Sequence, residues 1–165
     1  MAIGGQQVTI VVDVANVMGS RPDGWWRDRA GAAVRLHGEI VRLARSGRAI
    51  LPASSAPDQP SPAPDQPSPA APGFVMVLEG AARAAAARLT AAEPDADADG
   101  TGPVRPGEVR VVQARSSGDD TIVAVVRDLP GRRAVVTADR ELRARCAAVG
   151  AEILGPGWLL GLLHG

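Results

Sequence analysis

The stretch Val8-Thr9-Ile10-Val11-Val12-Asp13 decides the fold of this chain, because a run of apolar β-formers ends in a carboxylate. Three further apolar runs end in the same way, and they lead to Glu79, to Asp119 and Asp120, and to Asp139. Unbroken apolar runs are typical of central strands in a parallel sheet that is covered on both faces. The carboxyl ends of parallel strands share one edge, and open α/β sheets bind ligands there. The sequence therefore predicts an acidic site at this edge.

Helical patterns alternate with these runs, which is typical of a parallel α/β sheet. We predict strands at 7–13, 74–79, 108–114, 133–137 and 152–154, and helices at 25–46, 80–92, 119–129 and 139–149, with a short helix after Gly155-Pro156-Gly157. No helix is evident directly after Asp13.

Length and composition indicate a single cytoplasmic domain over residues 1–165. All 18 basic residues are Arg and are balanced by 18 acidic residues, which argues against strong non-specific nucleic-acid binding but leaves a local Arg patch open. The single cysteine, Cys146, excludes an internal disulfide, fits a reducing cytoplasm and is expected to be a small core residue. No signal peptide is evident, and no apolar run approaches the roughly 20 residues of a membrane helix. A homodimer is left open.

Residues 52–72 differ from the rest of the chain because they are rich in proline. The heptapeptide Ala-Pro-Asp-Gln-Pro-Ser-Pro occurs at 56–62 and again at 63–69. We interpret this segment as a disordered insertion that serves as a spacer, or alternatively as a Pro-x-x-Pro ligand for a partner domain. The acidic stretch 95–100 resembles half of an EF-hand loop, but Pro106 stands where the loop needs a bidentate Glu, so we expect a solvated loop.

Two adjacent tryptophans precede the first long helical pattern. In one interpretation Trp26 packs in the core and Trp25 covers the sheet edge. In the other, Trp25 stacks on a nucleobase beside the acidic site.

Four acidic positions on one sheet edge would repel one another unless a cation lies between them, and a divalent ion with oxygen ligands is the natural partner. Metal-assisted hydrolysis of a phosphodiester bond follows from such a site. Candidate substrate contacts lie near the same edge: Arg21, Arg27, Arg29, Ser117 and Arg140.

The ordered acidic motifs resemble those of the PIN-like nucleases, in particular the YacP-like members of the NYN branch. Val11-Val12-Asp13-Val14-Ala15-Asn16-Val17 is similar to the family's first strand, and Val77-Leu78-Glu79-Gly80 to its second acidic position, where Asp is more usual. The pair Asp119-Asp120 and the turn Thr137-Ala138-Asp139-Arg140-Glu141 are similar to the remaining two positions. The order of these motifs fits across nearly the whole chain apart from the proline-rich insertion.

This resemblance implies a three-layer α/β/α sandwich with a central, mostly parallel sheet, and a ribonuclease that depends on Mg²⁺ or Mn²⁺. Asp13, Asp139 and one or both of Asp119 and Asp120 would hold metal, with Glu79 as a further ligand. Asn16 would orient Asp13 or the scissile phosphate. Two alternatives stay open, namely a non-catalytic module that binds RNA or protein and a phosphohydrolase of small nucleotides.

Overall fold

In the part of the chain that the structure describes, five parallel strands form one sheet in the order β3-β2-β1-β4-β5. The strands are β1 (Val8–Asp13), β2 (Gly73–Leu78), β3 (Val109–Gln113), β4 (Arg132–Val136) and β5 (Glu152–Leu154). The structure is a computed structural model, and it describes residues 7–51, 71–90 and 102–165. The strand β1 is central, and its last residue, Asp13, lies opposite Val77 of β2. The five predicted strands are confirmed, and each of their ends agrees with the structure to within one residue.

Within the described ranges, six α-helices cover the two faces of this sheet. They are α1 (Val14–Gly19), α2 (Arg29–Ser46), α3 (Ala84–Thr90), α4 (Gly118–Asp128), α5 (Arg140–Ala148) and α6 (Pro156–His164). Helices α1, α2, α3 and α6 contribute to one apolar core, whereas α4 and α5 contribute to the other. This arrangement is the predicted three-layer α/β/α sandwich.

The central strand shows why the strands of this sheet have unbroken apolar sequences. Ile10 and Val12 pack in the core on the α2 side, and Val11 packs in the core on the α4 side. All three side chains are fully buried. Both faces of β1 are thus occupied by apolar side chains, and only its carboxyl end, at Asp13, carries charge. Cys146 is a buried free thiol in the α4 side core, as expected.

Two local predictions about the N-terminal part were wrong. A short helix, α1, does follow Asp13, and the Asp13 side chain caps it. The predicted helix 25–46 is divided, because Trp25–Arg27 form a separate 3-10 turn and Asp28 then caps α2 by accepting a 2.9 Å hydrogen bond from the backbone N–H of Gly31. Since Trp26 lies in that turn and not on the buried face of α2, its side chain is 56% exposed and does not enter the core.

The predicted helix 80–92 begins as a 3-10 turn over Gly80–Arg83 and continues as α3. Residues 52–70 of the proline-rich segment and the acidic stretch 95–100 lie outside the described residues. Among the helices of the described ranges, none is both long enough and apolar enough to cross a membrane.

Candidate active site

Asp13 is the central residue of the carboxyl edge. It ends β1, and its Oδ1 accepts a 3.3 Å hydrogen bond from the backbone N–H of Asn16, as the cap of α1. Its Oδ2 accepts a 2.9 Å hydrogen bond from the hydroxyl of Thr137. Burial, which leaves only 7% of Asp13 exposed, raises the pKa of its carboxyl to about 6, and the two hydrogen bonds oppose this rise. Repulsion from Glu79 and Asp119 adds to it.

A hydrogen-bond chain joins the end of β1 to the end of β4. The Thr137 hydroxyl, which donates to Asp13, accepts a 3.2 Å hydrogen bond from the backbone N–H of Asp139. The Asn16 side-chain oxygen accepts a 2.9 Å hydrogen bond from the backbone N–H of Ala138. Asp139 in turn caps α5, because its Oδ1 accepts from the N–H of Leu142. The predicted residues Asp13, Asn16 and Asp139 are therefore part of one connected unit.

Glu79 and Asp119 approach the same edge from β2 and α4. Oε2 of Glu79 accepts a 2.9 Å hydrogen bond from the backbone N–H of Gly118, the first residue of α4. A Cβ at position 118 would overlap this carboxylate, so glycine permits the close approach. The pKa of Asp119 is raised, first by burial and then by repulsion from Asp139 and Glu79, whereas Arg145 acts in the opposite direction.

We refer to Asp13, Glu79, Asp119 and Asp139 as the acidic cluster, because Glu79 and Asp119 raise the pKa of Asp13, and Asp139 and Glu79 raise the pKa of Asp119. Asp120 has a different environment. Its Oδ1 binds the guanidinium of Arg145 at 2.7 Å, and its side chain is 63% exposed. Its backbone N–H donates to the hydroxyl of Ser117, which caps α4. Of the predicted acidic pair, Asp119 is thus the member that interacts with Glu79 and Asp139.

The candidate arginines have separate environments. Arg21 forms an ion pair with Glu39, with 2.9 Å between nitrogen and oxygen. Arg27 lies over the ring of Trp26, and Arg29 lies over the ring of Trp25 at 5.3 Å from its centroid. Arg140 is exposed at the first residue of α5, directly after Asp139 of the acidic cluster.

The acidic cluster suits a hard cation by its donor type, since carboxylate oxygens are preferred ligands of such ions. Within the described ranges, no three acidic, histidine or cysteine side chains form a ready-made metal site. Mg²⁺ is commonly held by one or two carboxylates, with water and substrate phosphate completing its coordination. The donor type of the cluster therefore fits a cation that takes few protein ligands.

Sequence reasoning missed two contributors to this region. Thr137 connects Asp13 to Asp139, and its position two residues before an aspartate at a strand end was the available signal. The other is a pocket of about 360 Å³ beside the acidic cluster. Its lining combines residues from distant segments of the chain, including Met18, Trp25, Arg29 and Glu79.

Comparison with known proteins relates the chain to a solved structure. No family model and no curated protein matches the sequence. Among solved structures, a tryptophan-to-leucine mutant of Rae1 (YacP) from Bacillus subtilis is similar, with a TM-score of 0.57 and 13% sequence identity. The match covers 96% of this chain and 76% of that one. The likeness shows a relationship at the level of the fold, which is an α/β/α sandwich in this chain.

Proposed function

We propose that this chain is a metal-dependent nuclease that hydrolyses phosphodiester bonds of RNA. The observation that carries the proposal is the acidic cluster at the carboxyl edge of the sheet, with the buried carboxyl of Asp13 at its centre. Burying Asp13 and surrounding it with further carboxylates is unfavourable for the folded protein by itself. A bound cation offsets this cost, so the cluster is best explained as a cation site.

In this proposal the acidic cluster would hold Mg²⁺ or Mn²⁺, which lowers the pKa of a bound water and neutralises charge on the phosphate. Thr137 orients Asp13 and favours its ionised form by donating a hydrogen bond to it. Asn16 fixes the turn before Asp139 through its hydrogen bond to Ala138. Arg140, exposed beside Asp139, is placed to contact a phosphate group of the substrate.

RNA is preferred as substrate for two reasons. The acidic motifs resemble those of the NYN branch of the PIN-like nucleases, and the chain shares its fold with Rae1 (YacP). We propose on these grounds that it is a YacP-like member of that branch. A phosphohydrolase of small nucleotides is the second candidate. The chain has zero net charge, whereas proteins that bind long nucleic acids typically carry an excess of basic residues.

A cleavage assay with added Mn²⁺ or Mg²⁺ tests the proposal on mixed RNA, single-stranded DNA and free nucleotides. We expect RNA fragments in the presence of either metal and none with EDTA. The Asp13→Asn variant should give no fragments, because it removes a charge that the metal needs while retaining the shape of the side chain. Hydrolysis of free nucleotides alone would favour the second candidate. Absence of turnover on every substrate would overturn both and favour a binding module.

A further inference from the structure

The pocket of about 360 Å³ lies directly beside the acidic cluster. Its lining includes Ala15 and Met18 of α1, Trp25 of the 3-10 turn, Arg29 at the start of α2, Glu79 after β2, and Ser116. Its volume falls within the usual range of small-molecule sites, at roughly 300–1,000 Å³. Because Glu79 borders the pocket and belongs to the acidic cluster, a ligand in the pocket would adjoin the proposed site of hydrolysis.

The aromatic wall of this pocket is held in place by its neighbours. Trp25 is partly buried and packs against the core on the α2 side. Trp26 meets it edge to face, with 6.2 Å between ring centroids and an interplanar angle of 88°. The guanidinium of Arg29 lies over the indole ring of Trp25. A rigid aromatic side chain of this kind binds a planar ligand with little loss of conformational entropy.

The polar groups of the pocket are complementary to a heterocycle. Arg29 supplies hydrogen-bond donors, and Glu79 supplies a carboxylate acceptor. Ser116 supplies a hydroxyl that can donate or accept a hydrogen bond. Every nucleobase carries both donors and acceptors along its edge, together with two flat faces suited to stacking on indole or guanidinium. An aliphatic ligand has no donors or acceptors for these polar groups, so it would gain less from this lining than a heterocycle would.

We propose that this pocket binds one nucleobase of the RNA strand, next to the phosphate that is hydrolysed, with Trp25 as its stacking surface. The proposal rests on the proposed function for the identity of the strand. It assigns a positioning role to Trp25, because a base held in the pocket places the adjoining phosphodiester at the acidic cluster. Arg29, which also lines the pocket, then contacts the edge of the base or the phosphate of the same nucleotide.

A binding experiment without metal tests the pocket separately from hydrolysis. The probes are 5′-phosphorylated diribonucleotides of adenosine and of uridine, titrated in EDTA by calorimetry, with ribose 5-phosphate as the probe that lacks a base. We compare the wild type with Trp25→Leu, Trp25→Phe and Trp26→Leu. Trp26 is the matched control, since it is adjacent in sequence but 56% exposed and absent from the pocket lining.

We expect Trp25→Leu to weaken dinucleotide binding about 10- to 100-fold, as loss of one stacking contact predicts. Trp25→Phe should stay within a few-fold of wild type because a ring remains. Trp26→Leu should also stay within a few-fold of wild type, because Trp26 contacts Trp25 but does not line the pocket. Ribose 5-phosphate should bind far more weakly than either dinucleotide. Three results would each overturn the proposed base-binding pocket. They are equal weakening of binding by Trp25→Leu and Trp26→Leu, binding of ribose 5-phosphate as tight as that of the dinucleotides, and no binding of dinucleotides to the wild type.

Parallel cleavage measurements separate this proposal from the proposed function. The Asp13→Asn protein should bind the dinucleotides as wild type does even though it cleaves nothing. If the wild-type protein showed binding that depends on Trp25 but no nuclease activity, this result would support the base-binding pocket and contradict the proposed nuclease function. Conversely, RNA cleavage with the same kcat/KM in wild type and Trp25→Leu would support the nuclease and overturn the pocket.

Discussion

The hydroxyl of Thr137 donates a 2.9 Å hydrogen bond to Oδ2 of Asp13, and this contact links the carboxyl ends of β1 and β4. The same hydroxyl accepts from the backbone N–H of Asp139, so its hydrogen is directed at Asp13. The hydrogen bond favours the ionised form of a carboxyl that burial pushes towards the protonated form. Thr137 therefore influences the charge state of the residue at the centre of the acidic cluster.

We predict that Thr137→Val shifts the pH dependence of metal-activated cleavage upwards. Without the hydroxyl the pKa of Asp13 rises further, and a protonated carboxyl cannot bind metal. A hydrogen bond to a charged group is worth about 1.5–3 kcal/mol, which corresponds to roughly one to two pH units. The measurement is the midpoint of the rise in kcat/KM with pH. Thr137→Ser keeps the hydroxyl and should retain the wild-type midpoint, whereas an unchanged midpoint in Thr137→Val contradicts the prediction.

Asp13 should make the metal-free protein less stable as the pH rises through the weakly acidic range. Its pKa is 3.8 in the unfolded chain and about 6 in the folded protein, so the folded state binds more protons between these values. The free energy of unfolding therefore falls as the pH increases from about 4 to about 7, by on the order of 2–3 kcal/mol from this group. Asp119 contributes in the same direction, because its pKa is also raised.

Urea denaturation in EDTA at several pH values measures this effect as the difference between wild type and Asp13→Asn. Ion-paired carboxylates elsewhere contribute equally to both proteins and cancel in the difference. The variant should be as stable as wild type or more stable near pH 7, and its relative advantage should shrink towards pH 4. A variant that is equally destabilised at every pH would show that Asp13 is a structural hydrogen-bonding residue.

Much of this fold could be predicted because the strands carry an unusually strong signal. Both faces of β1 and β2 are buried, so unbroken apolar sequence marks their extent. The short helix α1 escaped prediction because Val14 and Val17 are poor helix formers, and the helix is stabilised by their burial in the core. The break at Asp28 was hidden because, in the sequence, the apolar periodicity of α2 continues back to Trp26.

The position of the acidic cluster also follows from the sequence, whereas its membership does not. Strand ends place Asp13, Glu79 and Asp139 at one edge by topology alone. The choice between Asp119 and Asp120 depends on the rotation of α4 about its axis. It also depends on Arg145, which is 25 residues from Asp120 in sequence. Contacts between such distant residues are not encoded in any local pattern.

Gly118 should be sensitive to the addition of one methyl group. A Cβ there overlaps the carboxylate of Glu79, so Gly118→Ala should displace Glu79 and reduce cleavage by about tenfold or more. The methyl group itself favours the helix, and in a Glu79→Ala background Gly118→Ala should be neutral or stabilising by about 0.4–1 kcal/mol. The measurement is a double-mutant cycle on the free energy of unfolding. Additive effects of the two substitutions would show that the contact is unimportant.

The two adjacent aspartates of α4 should differ in their contribution to catalysis. Asp119 interacts with Glu79 and Asp139 in the acidic cluster, whereas Asp120 forms an exposed ion pair with Arg145. We therefore expect Asp119→Asn to reduce metal-dependent kcat/KM by about 100-fold or more, on the scale of other losses of electrostatic stabilisation. Asp120→Asn should reduce it by much less, and should change the free energy of unfolding by no more than about 1 kcal/mol, as is usual for exposed ion pairs.

The two variants are well matched, because each replaces a carboxylate by an amide at neighbouring positions in the first turn of α4. Their metal dependence provides a second measurement: Asp119→Asn should need a higher Mn²⁺ concentration for half-maximal activity, and Asp120→Asn should not. Arg145→Gln removes the partner of Asp120 and should behave like Asp120→Asn in stability. If Asp120→Asn proved the more damaging substitution, metal binding would require a rotation of α4 that brings Asp120 into the acidic cluster in place of Asp119.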